Sequence, residues 1–355
     1  MRSCILVTGG AGFIGSHICV ALSAGGYTPL ILDNFSNGDP GVVERLGRIT
    51  GRPPRCIRGD VRDRALLDRL FREECVEGVI HLGGVKAASD GLSDPIACHE
   101  NNVVGSFTLI AAMRAASVKN LIFASSAAVY GSPDVSPVPE SAACRPSSPY
   151  GRTKREIERA LTALCVADPA WRVTVLRYFN PAGAHESGLI GEFPRGTPLH
   201  LVSAVCQAAA GLGQTFKVQG SDYPTWDGTT IRDYVHVMDI ARAHVLALDH
   251  MQQRPWQQGL QTLNLGTGRG HSVLDVVRAV EHVSGRQVAC ELGPRRVGDV
   301  PACWANPSMA LATLGWRASG NLEAICRDSW CWQVSSGRWP DSILPRIRIN
   351  SNLRS

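Results

Sequence analysis

The chain has 355 residues and a mass of 38.1 kDa, which suits one large α/β domain with a smaller lobe. Apolar residues make up 44% and charged residues 19%, which excludes a wholly disordered chain, and no run of 18 apolar residues predicts a membrane helix. The tail 338–355, with four Arg and one Asp, carries +3 of the net charge of +5, and the nearly neutral remainder is atypical of nucleic-acid binders.

Short apolar runs alternate with helical patterns along the first half of the chain. Strands are predicted at Cys4–Thr8, Pro29–Leu32, Arg55–Arg58, Gly78–Leu82, Asn120–Ala124 and Arg172–Arg177. Helices are predicted between them, at Gly15–Ala24, Arg64–Glu73, Ala97–Ala116 and Tyr150–Ala167. This alternation predicts an α/β fold with a doubly wound parallel sheet of the Rossmann type.

The second half of the chain carries weaker strand signals and more helix. Strands are predicted at Phe216–Val218 and Gln261–Leu265, and helices at Leu201–Ala210, Asp239–Met251, Ser272–Ser284 and Leu322–Ser335. The stretch 180–198 is rich in Gly and Pro, so we expect the chain to cross there into a second, smaller α/β lobe.

A glycine-rich turn follows the first predicted strand and opens the first predicted helix. Its glycines are Gly9, Gly12 and Gly15, with the spacing G-x-x-G-x-x-G. Glycine at such positions permits a tight turn and close approach of a pyrophosphate, which the free N–H groups of the helix would bind. Glycine-rich turns also occur as plain loops, but here the strand before and the helix after the turn favour dinucleotide binding.

An acidic residue ends the second predicted strand, 18 residues after Gly15. The carboxylate of this residue, Asp33, would accept hydrogen bonds from a ribose diol and repel a 2′-phosphate, which favours NAD over NADP. The alternative is a turn-forming Asp that bonds the backbone just beyond Asn34.

The pattern Tyr-x-x-x-Lys occurs at Tyr150 and Lys154, directly after Pro149. Proline favours the first position of a helix, and residues four apart share a helix face. We expect the ammonium group to lower the pKa of the tyrosine and make it a base for a sugar hydroxyl. Ser126 follows the fifth predicted strand at its carboxyl end, where open α/β sheets bind ligands, and is the candidate hydrogen-bond donor to a substrate oxygen.

The twelve cysteines form no C-x-x-C pair and no Cys/His array with zinc spacing, so no metal site is predicted. Several, such as Cys19 and Cys206, lie in apolar runs where Cys behaves as a small hydrophobe. The start of the chain runs into a strand pattern with too little apolar length for a signal peptide. We therefore expect a reduced, cytoplasmic protein.

These motifs belong to a longer series of ordered blocks, through which the chain resembles the extended short-chain dehydrogenase/reductase family over roughly residues 4–337. The blocks are VTGGAGFIGSH (7–17), ILDNFSNG (31–38), GDVRD (59–63), VIHLGGVKA (79–87), NNVVG (101–105), SSAAVYG (125–131), SPYGRTK (148–154), RYFNPAGAH (177–185), DYPTWDGTTIRDYVHVMD (222–239), NLGTG (264–268) and RRVGDVPACWA (295–305). RYFNPAGAH and RDYVHVMD resemble its nucleotide-sugar 4-epimerase branch most.

The resemblance implies reversible inversion at C4 of a UDP-hexose through a 4-keto sugar, with NAD tightly held. Tyr150 would take the proton of the 4-hydroxyl, Ser126 would bond the 4-oxygen, and Lys154 would hold the ribose and tune Tyr150. The implied NAD-binding residues are Gly9, Gly12, Phe13, Ile14, Gly15, Asp33, Asn34, Asn37, Asp60, Val61, Gly83, Gly84, Lys86, Asn101 and Phe179. A homodimer through the helices at Ala97–Ala116 and Tyr150–Ala167 is implied as well.

The resemblance also divides the chain and implies a set of substrate residues. We expect an NAD-binding domain at 1–179 and 232–267, a substrate domain at 180–231 and 268–337, and an exposed basic tail at 338–355. The substrate residues carried over by position are Asn180, Arg232, Arg296 and Asp299. The guanidinium groups suit a pyrophosphate because each offers paired donors.

Three positions depart from the family pattern near the nucleotide. The usual Asn-Asn-Leu reads Leu199-His200-Leu201, and the usual aromatic residue beside the base is Gln219. Either His200 bonds a phosphate and Gln219 a base edge, or the site takes another nucleotide or binds UDP-sugars poorly. Cys303 stands where some epimerases carry a bulky Tyr, so N-acetylated hexoses are sterically permitted in this hypothesis.

Two other functions remain as alternatives. A net NAD-dependent oxidoreductase on another nucleotide sugar would release its keto product and free NADH. A non-catalytic NAD-binding regulator would keep only the fold, and the intact Ser126, Tyr150 and Lys154 argue against it. The pair Ala127-Ala128 after Ser126 lacks the acidic residues that sugar-nucleotide dehydratases of this superfamily use for elimination.

Overall fold

The computed structural model describes residues 3–85, 94–193, 200–211, 215–252, 259–296 and 298–335. In chain order its strands β1 to β14 are Cys4–Thr8, Thr28–Asp33, Arg55–Arg58, Val76–His81, Asn120–Ser126, Arg172–Tyr178, Asn180–Ala182, Phe216–Gln219, Ile231–Arg232, Tyr234–His236, Leu260–Leu265, His271–Ser272, Cys290–Gly293 and Ala302–Cys303. Its helices α1 to α11 are Phe13–Ala24, Val42–Thr50, Arg64–Glu73, Pro95–His99, Gly105–Ala115, Pro149–Ala167, Leu201–Ala209, Val237–Gln252, Val273–Ser284, Ser308–Leu314 and Leu322–Ser335.

Seven parallel strands form the central sheet in the order β11-β6-β5-β4-β1-β2-β3. The chain builds outward from β1 to β3 on one side and then returns to add β4 on the other side of β1. This arrangement confirms the predicted doubly wound fold. It also places the switch point beside β1, where ligands bind at the carboxyl ends of the strands.

Alternating side chains of the sheet bury two opposite apolar faces. Ile5 and Val7 of β1 lie in the core that packs against α1 and α8, whereas Leu6 lies in the core with residues of α3, α5 and α6. Because both faces are covered by helices, the strands read as nearly continuous apolar runs. Helices therefore cover both faces of the central sheet, and the carboxyl ends of its strands remain available for a ligand.

A smaller lobe is built from the later segments. Short sheets, β12-β9-β14, β10-β7 and β13-β8, combine with α7, α9 and α11 around a core that includes Val205, Val276 and Ile325. Within the described residues, no helix has both the length and the apolar character of a membrane span.

The sequence prediction differs from the structure in several elements. It missed α2 and α10. It also missed β7, β9, β10, β12, β13 and β14, whose two to four residues are too few to define a periodicity, although it predicted β8. The predicted helix Ala97–Ala116 is divided into α4, a π-helical turn at Glu100–Val104 and α5. The tail 338–355 lies outside the described residues.

A buried ion pair fixes α6 against the central sheet. The Nε and Nη2 atoms of Arg177, on β6, donate to the carboxylate of Glu158 at 2.9 and 2.8 Å. The same carboxylate accepts from Ser125 Oγ on β5 at 2.7 Å, and Arg177 Nη1 donates to the Tyr130 hydroxyl at 2.9 Å. Burial acts to raise the pKa of Glu158, but Arg177 and the other donors hold it below its ordinary value. One turn of α6 is thus tied to two strands.

Removing the cation of this pair should destabilise the fold strongly. In Arg177→Met the carboxylate of Glu158 stays buried without its main partner, so the free energy of unfolding should fall by about 3–5 kcal/mol. Arg155→Met is the matched control, because Arg155 bonds the same carboxylate from a half-buried position and should cost no more than about 1 kcal/mol. Urea denaturation at pH 7 measures both, and equal losses would contradict the assigned role of Arg177.

Candidate active site

The glycine-rich turn between β1 and α1 leaves room only for backbone. Gly9 has a φ of +72°, and a Cβ on Gly15 would lie 2.2 Å from the Gly9 carbonyl oxygen. Gly12 is the N-cap of α1 and no side chain caps the helix there. The start of α1 is therefore open to an anion that approaches the backbone N–H groups closely.

Asp33 ties this turn to the end of β2. Its carboxylate accepts from the backbone N–H of Ala11, in the turn, at 2.9 Å and from that of Phe35 at 2.8 Å. The bond to Phe35 is the local turn that the sequence allowed as an alternative, yet a carboxylate has about four acceptor positions, so the two uses are compatible. Burial raises the pKa of Asp33, and the two backbone bonds act against that rise.

The other residues predicted for the adenosine side cluster beyond Asp33. Asn34 Nδ2 donates to Asp60 at 3.0 Å, and Arg62 Nε donates to the same carboxylate at 2.9 Å. The side-chain bond from Arg62 is the main cause that holds the pKa of Asp60 well below its usual range. Asn37 is exposed at the edge of a cavity beside the turn.

The predicted catalytic residues meet at the carboxyl end of β5. Ser126 is the last residue of β5, and Tyr150 and Lys154 lie in the first two turns of α6, which Ser148 caps through the N–H of Gly151. Lys154 is 3% exposed, and its Nζ donates to the Ala124 carbonyl at 2.9 Å and lies 5.7 Å from the centre of the Tyr150 ring. Ser126 lies close enough to Tyr150 to act on the pKa of the tyrosine hydroxyl.

The protonation of this group differs from the sequence expectation. Burial raises the pKa of Tyr150 to about 12, and the hydrogen bond from Ser126 only partly opposes it. Burial also lowers the pKa of Lys154 to about 8. In the chain by itself the net shift of the Tyr150 pKa is therefore upward, opposite to the expected direction, because desolvation of the phenolate is its largest cause.

Sequence reasoning singled out Asn101 and missed the more deeply placed amide next to it. Asn102 is 1% exposed, accepts from the N–H of Val85 at 2.7 Å and donates to Thr153 Oγ1 at 3.1 Å. A Cβ on Gly84 would lie 3.3 Å from both Asn102 Oδ1 and Lys154 Nζ. Asn102 thus links the segment after β4 to α6. The π-helical turn that holds it is of a kind often found at functional sites.

Sequence reasoning also missed His81, which is part of a hydrogen-bond network beside the glycine-rich turn. His81, at the end of β4, bonds Thr8 Oγ1 through Nδ1 at 2.7 Å and Ser106 Oγ through Nε2 at 2.9 Å. Thr8 Oγ1 also accepts from the N–H of Gly83, and Gly83 lies against Gly9. These residues align β1 with the segment after β4, and Val61 contacts the same segment near Gly83.

The predicted substrate residues on β9 and β14 lie side by side. Arg232 pairs with Cys303 in neighbouring strands, and its Nη2 donates to Asp299 at 3.2 Å. Asn180 follows β6 and donates to the Asp233 carbonyl at 3.1 Å.

Phe179 and Cys303 share one buried apolar cluster that includes Tyr130. Cys303 is 8% exposed, and burial raises the pKa of its thiol to about 11.

The remaining predicted residues are more dispersed. His200 Nδ1 lies 2.5 Å from Glu192 Oε1, and the His200 ring centre is 6.4 Å from that of Phe13 in the glycine-rich turn. Gln219 ends β8 opposite Gly293, and Arg296 is exposed. Lys86 and Leu199 lie outside the described residues.

The residues present fit a dinucleotide. The turn admits close approach of a pyrophosphate, Asp33 stands at the end of the neighbouring strand, and Ile14 continues the open start of α1. A cavity opens in front of Gly12 and Phe13. Among the described residues, no group of three or more His, Cys, Asp or Glu side chains is placed to hold a metal ion.

Comparison with known proteins gives a consistent family. Residues 5–266 match the model of the NAD dependent epimerase/dehydratase family. The UDP-glucose 4-epimerase of Yersinia pestis is 47% identical over 339 residues, which cover 95% of this chain and 99% of that protein.

Solved structures of similar proteins agree. The UDP-glucose 4-epimerase of Stenotrophomonas maltophila, with bound NAD and formylated UDP-arabinopyranose, superposes with a TM-score of 0.91 at 45% identity and covers 95% of this chain and 99% of its own. That of Bifidobacterium longum, in complex with NAD+ and UDP, gives 0.90 at 42% identity, with coverage of 94% and 98%.

The buried His81 should make stability depend on pH. Burial lowers its pKa to about 3, whereas the unfolded chain takes up the proton near about 6.5. Stability from this group is therefore complete above pH ~6.5 and is lost as the pH falls, by up to about 1.4 kcal/mol per pH unit. Urea denaturation between pH 7 and pH 4 should show a shallower decline in His81→Gln than in the native protein.

The control for this measurement is His282→Gln, since the His282 side chain is 76% exposed. This variant should keep the native slope. A His81→Gln slope equal to that of His282→Gln would contradict the buried, neutral state of His81.

Proposed function

This chain belongs to the NAD dependent epimerase/dehydratase family, and from that premise we propose that it is an isomerase that inverts C4 of a UDP-hexose. UDP-glucose and UDP-galactose are interconverted through a 4-keto sugar with bound NAD. The observation that carries the proposal is the meeting of Ser126, Tyr150 and Lys154 at the edge of the sheet that also holds the glycine-rich turn.

Proton movement falls to Tyr150. Bound NAD would supply the acceptor and donor of the C4 hydride and a positive charge that favours the phenolate. Because burial raises the pKa of Tyr150 to about 12, its phenolate is a strong base, and the nearby positive charges of Lys154 and bound NAD are what make this phenolate accessible. Ser126 bonds the tyrosine hydroxyl and is placed to share a hydrogen bond with the 4-oxygen.

Lys154 acts as the fixed positive charge beside the tyrosine. Its bond to the Ala124 carbonyl holds the ammonium within 5.7 Å of the Tyr150 ring, in surroundings of low polarity where charges interact strongly. With a pKa of about 8, the amine is mostly charged at pH 7. We assign to it the support of the phenolate and a contact to the cofactor ribose.

The substrate diphosphate is assigned to the arginines of the smaller lobe. Arg232 is held in place by the Val300 carbonyl at 2.8 Å and by Asp299, so its guanidinium is preorganised. Arg296 is an exposed residue of the same lobe and would add a second positive charge. Asn180, His200 and Gln219 complete the proposed substrate residues.

We further propose a cytoplasmic homodimer. Phe107 on α5 is 41% exposed, and together with Ile110, Ala160 and Leu164 it lines an apolar groove between α5 and α6. A second copy of the chain that places the same two helices against it would form a symmetric four-helix contact. All twelve cysteines are free thiols, which supports a reducing compartment.

The activity is tested by incubating the purified protein with UDP-galactose, without added NAD, and separating the products by chromatography. We expect conversion to UDP-glucose that is lost in Tyr150→Phe, and in Ser126→Ala we expect kcat to fall by about 10²-fold or more. Tyr27→Phe is the control, since Tyr27 bonds Asp249 at the opposite end of β2 and should leave the rate unchanged.

Two results would contradict the proposal. Release of free NADH in step with consumption of the sugar would indicate net oxidation. No conversion by a protein that carries NAD would indicate another nucleotide sugar, with His200 and Gln219 as the positions to examine.

The size of the sugar pocket is tested at Cys303. Its small side chain packs beside Phe179 and Tyr130, so we expect the native protein to convert UDP-N-acetylglucosamine as well. Cys303→Tyr should lower kcat/KM for the N-acetylated sugar by at least about tenfold more than for UDP-galactose, because a wrong volume in a pocket costs this much. Cys303→Ser is the matched control. A native protein active on UDP-glucose and inert toward UDP-N-acetylglucosamine would refute this assignment.

A further inference from the structure

Residues of α2, of the segment 190–193 and of the start of α7 line the outer side of the cavity in front of the glycine-rich turn. Arg45 of α2, the segment 190–193 and His200, just before α7, line this cavity opposite Gly12 and Phe13. The turn and α2 belong to the central sheet, whereas the segment 190–193 and α7 follow the crossing into the smaller lobe. Anything seated on the turn is thus enclosed between the two lobes.

Arg45 has an unusual set of partners. Its Nη2 forms an ion pair with Asp39, and its guanidinium carbon lies 5.9 Å from the centre of the Trp332 ring on α11. Its Nε is buried and has no hydrogen-bond partner in the described part of the chain. Both Arg45 and its partner Asp39 line the cavity, so the ion pair stands at the wall opposite the turn.

Trp332 joins this arginine to the segment 190–193. Its indole N–H donates to the Glu192 carbonyl at 2.8 Å. A Cβ on Gly191 would lie 2.4 Å from the Trp332 ring, so only glycine lets the indole pack flat on the segment. The Glu192 carboxylate in turn bonds Ser203 and His200, and the segment is therefore fixed to both α11 and α7.

We propose that Arg45, Trp332 and the segment 190–193 form a clasp that retains the bound dinucleotide. The proposal rests on the proposed function, which requires bound NAD. The guanidinium lies beside the ring of Trp332 and places a positive charge at the cavity wall opposite the turn that would hold the anionic diphosphate. Since this contact joins α2, which lines the cavity, to α11 of the smaller lobe, the clasp must open before the dinucleotide leaves.

The reaction itself makes such a clasp useful. Epimerisation returns the cofactor to its original oxidation state in each turnover, so no exchange of NAD is needed. A contact that slows release of the cofactor therefore leaves turnover unaffected, whereas in an enzyme that exchanges its cofactor each cycle it would limit the rate.

The rate of NAD release tests the clasp. Purified protein with the NAD it carries is diluted into an excess of an NAD-dependent alcohol dehydrogenase and its alcohol, which convert each released NAD to fluorescent NADH. In Arg45→Met and Trp332→Leu we expect release about tenfold faster, as the loss of a partly desolvated cation–π contact implies. Arg48→Met, an exposed change on the same helix, should release NAD at the native rate.

Two further variants separate the contacts and guard against unfolding. Trp332→Phe keeps a ring beneath Arg45 but loses the N–H to Glu192, so its release rate should fall between those of the native protein and Trp332→Leu. Arg45→Lys keeps the charge without the planar face and should also release NAD faster, which gives a second readout if Arg45→Met does not fold.

The outcomes distinguish the clasp from the proposed function. Equal release from Arg45→Met and Arg48→Met, or from Arg45→Lys and the native protein, would overturn the clasp while the native protein still converts UDP-galactose. Failure of the native protein to convert the sugar, with slow NAD release that the variants speed up, would overturn the reaction and keep the clasp. A native protein without bound NAD would overturn both.

Discussion

The position of α6 depends on charges that are buried behind the site. Glu158 accepts from Ser125 on β5 and from Arg177 on β6, and one turn earlier Lys154 donates to the Ala124 carbonyl. Because these bonds lie in surroundings of low polarity, breaking one leaves an uncompensated charge, and the helix has little freedom to shift. The first turn of α6 therefore packs against the end of β5 in one geometry. The buried bonds of Glu158 and Lys154, rather than contacts among the reacting groups, hold those groups in place.

The same burial that fixes this geometry sets its protonation. Desolvation opposes charge on both Tyr150 and Lys154, raising one pKa and lowering the other. The chain thus holds a neutral phenol beside a cation that is close to losing its proton. A tyrosine that must take and return one proton per turnover suits such surroundings if a bound cation stabilises the phenolate, because the neutral phenol forms without help.

The smaller lobe contributes more to the cofactor cavity than its place in the chain indicates. Glu192 bonds α7 through its carboxylate and α11 through its carbonyl, and His200 stands across from Phe13 in the turn. The wall of the cavity is therefore shared between the lobes, and the contact between Arg45 and Trp332 bridges them. The segment 190–193 therefore connects the residues proposed to retain the cofactor with those proposed to bind the sugar nucleotide.

The sequence by itself determined the features that depend on local spacing: the parallel sheet, the glycine turn, and the shared helix face of Tyr150 and Lys154. The turn and the shared helix face form within a few residues, and the parallel sheet follows from the alternation of strand and helix patterns along the chain. Only the tertiary structure decided the raised pKa of the tyrosine, the buried role of Asn102 and the meeting of Arg45 with Trp332. Burial and contacts between distant segments arise when helices and strands pack, and no local pattern encodes them.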